Sequence, residues 1–127
     1  MPGRQSYEIR PVGHNAPIPM AARIGNMIMT SGIPGSDPQT GEMPASLEEQ
    51  AKNCFRNLEN VLAKAGAGKD DVLRVTVFIK SNNNRQIVNP AWLEMFPDEN
   101  TRPARHQTVV ETLNFDIQIE ATAVIVT

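Results

Sequence analysis

The segment from Ser46 to Gly66 most constrains how this chain of 127 residues can fold. Ser46-Leu47-Glu48-Glu49 has the pattern of a capping box, in which serine and glutamate side chains satisfy backbone amides at a helix start. Gly66 stands where a left-handed C-terminal cap is expected. Between them, apolar residues recur every three or four positions and predict one amphipathic helix whose apolar side must be buried. That apolar stripe comprises Leu47, Ala51, Cys54, Phe55, Leu58, Val61, Leu62 and Ala65.

The rest of the chain reads as strands and one shorter helix. Alternation of apolar and polar residues predicts strands over 5–10, 22–24, 27–31, 72–80, 104–111 and 117–125. The helix has Pro90 near its first turn and is predicted from Ile87, Val88, Trp92, Leu93 and Phe96. In strand 72–80, one face is expected to carry Leu73, Val75, Val77 and Ile79. With segments 22–24 and 27–31 counted as one strand interrupted by a tight turn, the order is ββαβαββ, which indicates an α+β fold, a mixed sheet with both helices packed on one face.

The second face of this predicted sheet has no helix left to cover it. Strand 27–31 is apolar on both faces, which implies a sheet that is covered on both sides. The second face mixes Met27 or Ile28, Phe78 and Val124 with polar groups. Self-association through that face is the simplest way to bury it.

Composition narrows the functional classes. The length suits one domain, spanning residues 1–127. A net charge of -2 gives no electrostatic case for nucleic acid as a partner. Cys54 is the single cysteine, so it cannot form an internal disulfide, and its place in the helix stripe indicates core packing. With His14 and His106 as the two histidines, no metal-ligand spacing can be assembled, and no apolar run could cross a membrane. A cytoplasmic protein is the expectation.

Arg105 lies near the start of the strand predicted over 104–111. Pro103 cannot donate to a ladder and marks the beginning or edge of that strand. Arg105, Gln107, Val109 and Glu111 then share one face. A guanidinium on a stiff strand presents a planar fork of donors that fits a carboxylate or phosphate in two contacts. The alternative is an ordinary surface or ion-pair arginine.

Further motifs run through most of the chain, at 25–32, 37–42, Gln50, 57–58, 75–78, 88–89, Phe96, 103–105 and 119–121. In this order they resemble the RidA/YjgF family of reactive-intermediate deaminases almost from end to end. The resemblance implies a fold like that of trimeric chorismate mutase, and homotrimers whose ligand clefts lie between subunits.

The family's activity is implied by the same resemblance. Its members hydrolyse 2-imino or 2-enamino acids to 2-oxo acids and ammonia, without a cofactor or metal. By that resemblance, Arg105 is the anchor for the substrate carboxylate. Ser31 and Gly32 would offer hydroxyl and backbone groups to the ligand, and Asn89 would shape the cleft.

Several positions depart from the family pattern. Ile18 stands where active members usually carry a tyrosine, and Gln107 stands where a cysteine is frequent, so the resemblance makes both candidate substrate-binding residues. The glutamate that positions water aligns with Gln118, and a glutamine cannot accept a proton at neutral pH. Glu120 lies on the same strand face about 6.6 Å further along and is an alternative carboxylate. It could equally be a paired structural residue.

Two functions from different classes follow. One is an enzyme that deaminates imines or enamines. The other is a binding module, a trimer that captures small carboxylates without turnover, which the Gln118 departure favours. Ribonuclease activity, ascribed to some relatives, is disfavoured here by the acidic charge balance.

Overall fold

Across residues 3–126, which the computed structural model describes, the chain forms seven strands and two α-helices. The helices are α1 (Leu47–Lys64) and α2 (Asn89–Met95). The strands are β1 (Arg4–Tyr7), β2 (Ala21–Ile24), β3 (Met27–Thr30), β4 (Ile33–Pro34), β5 (Val72–Ile79), β6 (Ala104–Val109) and β7 (Ile117–Val124). No helix within this range is long and apolar enough to cross a bilayer.

The strands form one mixed sheet in the order β1-β2-β3-β7-β5-β6, with the short β4 also paired to β7. β5 and β6 are parallel, because α2 and its flanking turns carry the chain back between them. The remaining pairs are antiparallel. The predicted α+β class, the mixed sheet and the two helices on one face are confirmed. β6 is an edge strand, which leaves one side of the Arg105 segment unpaired.

Helix α1 begins and ends where the sequence predicts. The Ser46 hydroxyl accepts from the Glu49 amide at 3.2 Å, and Gly66 has a φ of 87°. The reciprocal half of the capping box is absent, since the Glu49 carboxylate pairs instead with Arg56. Cys54 is fully buried, and that burial raises the pKa of its thiol. It is therefore a core residue, as predicted.

Ser46→Ala removes the one side-chain acceptor at this helix start. We expect it to lower the free energy of unfolding by about 1 kcal/mol, which denaturant titration measures. Affinity for carboxylates should not change, because the cap lies on the solvent side of α1. A loss of ligand affinity at unchanged stability would contradict this assignment.

Strand β5 corrects one prediction. Leu73 is 62% exposed, whereas the neighbouring Val72 is buried. The register with β7 slips between Val72 and Arg74, which is a β-bulge. The extra residue moves Val72 to the core side and turns Leu73 outward. Beyond the bulge, Val75, Val77 and Ile79 are buried as expected.

Helix α2 covers fewer residues than the apolar pattern from Ile87 to Phe96 that predicts it. Trp92 is buried, and Val88 and Phe96, which flank the helix, are buried with it. Leu93 is 48% exposed, which contradicts its predicted place in the stripe. With only seven residues, α2 turns a narrow side to the sheet, and Ala91 and Met95 fill it instead.

The face of the sheet away from the helices is open in the single chain. β7 alternates strictly, with Ile117, Ile119, Ala121 and Ala123 buried under the helices. On the other face, Met27 and Met29 are 51% and 58% exposed. The cover that the sequence implies for this face is therefore not supplied by the described part of the chain.

Candidate functional site

Arg105 is held between α2 and the sheet. Its guanidinium lies over the Trp92 ring, 5.0 Å from the centroid, and Nη2 donates to Asn89 Oδ1 at 2.9 Å. Nη1 is buried and has no hydrogen-bond partner among the described residues. An unpaired buried donor costs free energy, which an acceptor such as a carboxylate would recover.

Arg105 carries a positive charge at neutral pH. Burial lowers the pKa of the Arg105 guanidinium from its ordinary value, because desolvation disfavours the charged form. Arginine starts so high that the group stays protonated at neutral pH. A stacked, half-buried and charged guanidinium is held more rigidly than a solvated surface group, which suits it to bind an anion.

The position of Arg105 follows from two local features. Pro90 favours a helix start at Asn89, so α2 begins beside β6 and turns Trp92 towards the sheet. Trp92 also packs edge-on against Phe96, with ring centroids 4.9 Å apart. This contact holds the Trp92 ring in place independently of the guanidinium that stacks on it. The apolar pattern of the sequence predicts that Trp92 packs in this helix, but it does not indicate the contact with Arg105.

Gln107 connects β6 to the turn that precedes α2. Its Nε2 donates to the Arg85 carbonyl at 2.6 Å. The turn follows a 3-10 segment, Asn82–Asn84, that Ser81 caps. The family resemblance implies that Gln107 binds substrate. In the structure its Nε2 holds this turn against the strand, and its buried Oε1 has no hydrogen-bond partner among the described residues.

An open depression of about 640 Å³ lies in front of Arg105. All its lining residues are polar, and the two charged ones are both arginines. They are Arg85, Gln86, Asn89, Arg105 and Gln107. Arg85 was missed by sequence analysis, because an arginine in a polar turn carries no signal of its own.

Ser31 and Gly32 lie at a break between β3 and β4. The break is stabilised because Thr30 Oγ1 accepts from the Ala121 amide in place of a ladder bond. The Ser31 hydroxyl donates to the Pro19 carbonyl at 2.8 Å, and its amide donates to the Met20 carbonyl. These bonds tie the segment with Ile18, which is 43% exposed, to the strand end. Both Ser31 donors are used internally, so only its oxygen lone pairs remain for a ligand.

Gln118 lies across Gly32. A Cβ added at Gly32 would overlap the Gln118 side-chain amide, so this glycine makes room for it. Gln118 pairs with Phe78 across β5 and β7, on the open face of the sheet. The structure thus brings Ser31, Gly32 and Gln118 together, with Ile18 beside them.

Glu120 occupies the same open face, opposite Thr76. It lines a shallow depression of about 210 Å³ together with Thr30 and Arg74. Within residues 3–126 it forms no salt bridge; the ion pair found there joins Arg56 to Glu49. Arg74 instead approaches His106 Nδ1 at 3.4 Å.

The predicted site residues therefore form two groups on opposite faces of the sheet. Arg105 is the register partner of Val75, which is buried beneath the helices, and Asn89 and Gln107 lie with it. Gln118 and Glu120 face the other way, by the alternation of β7. Side chains on opposite faces of one sheet cannot contact the same small ligand.

The fold and these groups define a class of small α+β protein with a half-buried, stacked arginine at the edge of a helix-backed mixed sheet. The family model described as Endoribonuclease L-PSP matches residues 12–127. The 2-iminobutanoate/2-iminopropanoate deaminase of Escherichia coli K12 is 38% identical over 104 residues, 81% of each chain. The chain belongs to this family, the RidA/YjgF family.

Solved structures agree in fold. The Escherichia coli YjgF gene product is similar with a TM-score of 0.84 and 34% identity, over 94% of this chain and 98% of that one. Escherichia coli TdcF with bound serine gives a TM-score of 0.86 and 32% identity, over 96% of this chain and 99% of that one. The family identified from the sequence motifs is confirmed.

Proposed function

We propose that this protein hydrolyses 2-imino or 2-enamino acids to 2-oxo acids and ammonia. The observation that carries the proposal is Arg105, stacked on Trp92 and hydrogen-bonded to Asn89, with a buried donor that has no acceptor within residues 3–126. Such a guanidinium fits a substrate carboxylate in two contacts. The relative named as a 2-iminobutanoate/2-iminopropanoate deaminase supports the reaction type.

The reaction needs little from the protein beyond orientation. Water adds to the imine carbon, the carbon–nitrogen bond breaks, and nitrogen leaves as ammonia while the carbon becomes a carbonyl. No oxidation or reduction occurs. Arg105 would hold the carboxylate next to the reacting carbon and so convert an encounter in solution into an oriented one. Polar groups at Ser31 and Gln118 would orient the water.

We also propose that the site is completed between copies of the chain, in a homotrimer. Arg105 and Gln118 are separated by the sheet within one chain, and the open face exposes Met27 and Met29. Packing the open face of one copy beside the β6 edge of another would bury those methionines and bring the two groups together.

The oligomer has a direct test. Light scattering at micromolar concentration should give three times the 14.0 kDa chain mass. Replacing Met29 with glutamate should weaken the assembly, because it would put a charge into a buried apolar face. A stable wild-type monomer would refute both the trimer and the shared site.

The activity is tested by ammonia release. An amino-acid oxidase generates the imine from L-alanine or L-2-aminobutyrate, and semicarbazide traps whatever imine remains. Added protein should lower the trapped imine and speed ammonia release in proportion to its concentration. Heat-denatured protein is the control, and equal rates with the two would refute the proposal.

A binding module is the second candidate, and Gln118 is the observation that favours it. On the open face of the sheet, the side-chain amide of Gln118 lies against Gly32. An amide can orient a water molecule but cannot accept its proton. Saturable binding of 2-oxo acids without any imine hydrolysis would establish this alternative.

A further inference from the structure

Within one chain, the wall of the Arg105 depression offers no apolar contact to an aliphatic substrate. It is lined by five polar residues, two of them arginines, and none of them is acidic or aliphatic. A methyl or ethyl group placed there would displace water from Arg85 without replacing its hydrogen bonds, which is unfavourable. The relative named for 2-iminobutanoate and 2-iminopropanoate acts on imines with just such side chains.

A hydrogen bond from Gln107 holds the turn that carries Arg85 against β6, the strand that carries Arg105. Gln107 lies two residues after Arg105 on β6, and its Nε2 donates to the Arg85 carbonyl at 2.6 Å. This bond fixes the turn against the strand on the face that Arg105 occupies. Arg85 is exposed and lines the same depression as Arg105.

Two arginines and no acidic residue line this depression, and each guanidinium can pair with one anionic group of a ligand. A dianion that pairs with both is therefore favoured over a monoanion that pairs with one. The volume of about 640 Å³ accommodates a small diacid.

We propose that the preferred substrates are 2-imino acids that carry a second carboxylate on a short side chain. Arg105 holds the carboxylate next to the imine, and Arg85 holds the carboxylate of the side chain. Gln107 is a positioning residue that acts through the Arg85 turn. This inference rests on the proposed deaminase function, since it names the substrate class of that same site.

Binding can be measured without any turnover. Calorimetry at fixed ionic strength should give an affinity for succinate at least tenfold higher than for butyrate, the increment expected of one charge-assisted contact. Arg85→Gln should abolish this preference, because it removes the contact to the second carboxylate and keeps the contact that Arg105 makes to the first. Arg85→Lys should restore part of it, because a point charge remains without the fork.

Arg56→Gln is the matched control. It removes the same charge from an exposed position on α1, where Arg56 pairs with Glu49 away from the depression. The control should keep the succinate preference. If Arg56→Gln and Arg85→Gln reduce succinate binding equally, the effect is one of net charge and the inference is overturned.

Turnover separates the inference from the proposed function. 2-Iminosuccinate, generated from L-aspartate by an aspartate oxidase, should give a kcat/KM at least tenfold above that of 2-iminobutanoate, and Arg85→Gln should erase the difference. Equal rates for both imines, unaffected by Arg85→Gln, would overturn the substrate class while the deaminase function stands. Selective succinate binding with no hydrolysis of either imine would refute the deaminase function and leave the diacid site.

Discussion

Arg105→Ala should abolish measurable binding of 2-oxo acids such as pyruvate and 2-oxobutyrate. The loss is expected to be about 10- to 100-fold or more, because charge-assisted hydrogen bonds contribute about 1.5–3 kcal/mol. Arg105→Lys should also bind weakly, since an ammonium lacks the planar fork that matches a carboxylate. Calorimetry with each ligand gives the affinities directly.

The fold should survive this substitution. Arg105 contributes one hydrogen bond to Asn89 and a stacking contact with Trp92 at the edge of the sheet, and cation–π contacts at such sites are worth roughly 0.5–1 kcal/mol. Arg56→Ala, on the outer side of α1, is the control and should leave affinity unchanged. Unchanged binding by Arg105→Ala at full stability would remove Arg105 as the anchor.

Gln118→Glu should raise the rate of imine hydrolysis. The substitution keeps the shape of the side chain that lies across Gly32 and adds a group able to accept a proton from water. General-base assistance is typically worth about 10²–10⁴-fold, so even a poorly aligned carboxylate should give a measurable gain. The gain should appear in kcat more than in KM, because the carboxylate anchor is unchanged.

Glu120→Gln distinguishes the two candidate carboxylates. If the wild type is already fast and this substitution eliminates activity, Glu120 is the working base and Gln118 is not. If wild-type hydrolysis is slow and neither Gln118→Glu nor Glu120→Gln changes it, the binding module is supported. The next residue to test is then Ile18, which stands in the family's tyrosine position. A fast wild-type rate that neither substitution alters would contradict both assignments.

The local parts of this structure were predictable from sequence. Helix α1 was found with its cap and its terminal glycine, because the signals lie within a few residues of each other along the chain. The alternating faces of β7 followed from the period of two in its residues. Leu73 was misplaced because a bulge depends on how β5 pairs with β7, which no local pattern records.

The site was predictable only in part, and for the same reason. The fork of Arg105 and the strand face that it shares with Gln107 could be stated from the residues alone. Its stacking on Trp92 and its neighbour Arg85 depend on where α2 and its preceding turn lie relative to β6. The separation of Arg105 from Gln118 by the sheet required the parallel pairing of β5 and β6.

The central claim is that a working site combines Arg105 of one copy with the Gly32 and Gln118 side of another. It is tested most directly by mixing two inactive variants. Arg105→Ala removes the anchor, and Gly32→Val displaces the Gln118 amide, since any Cβ at that position overlaps it. Circular dichroism and light scattering should first establish that each variant folds and assembles like the wild type.

The two variants are then co-expressed with different tags, and mixed oligomers are purified through both. Every trimer purified in this way contains both variants, so one of its three interfaces pairs an intact Arg105 with an intact Gly32, and ammonia release should recover to about a third of the wild-type rate. If each site lay within a single chain, every site would carry one defect. Activity no higher than that of the two variants assayed separately would therefore contradict the shared site.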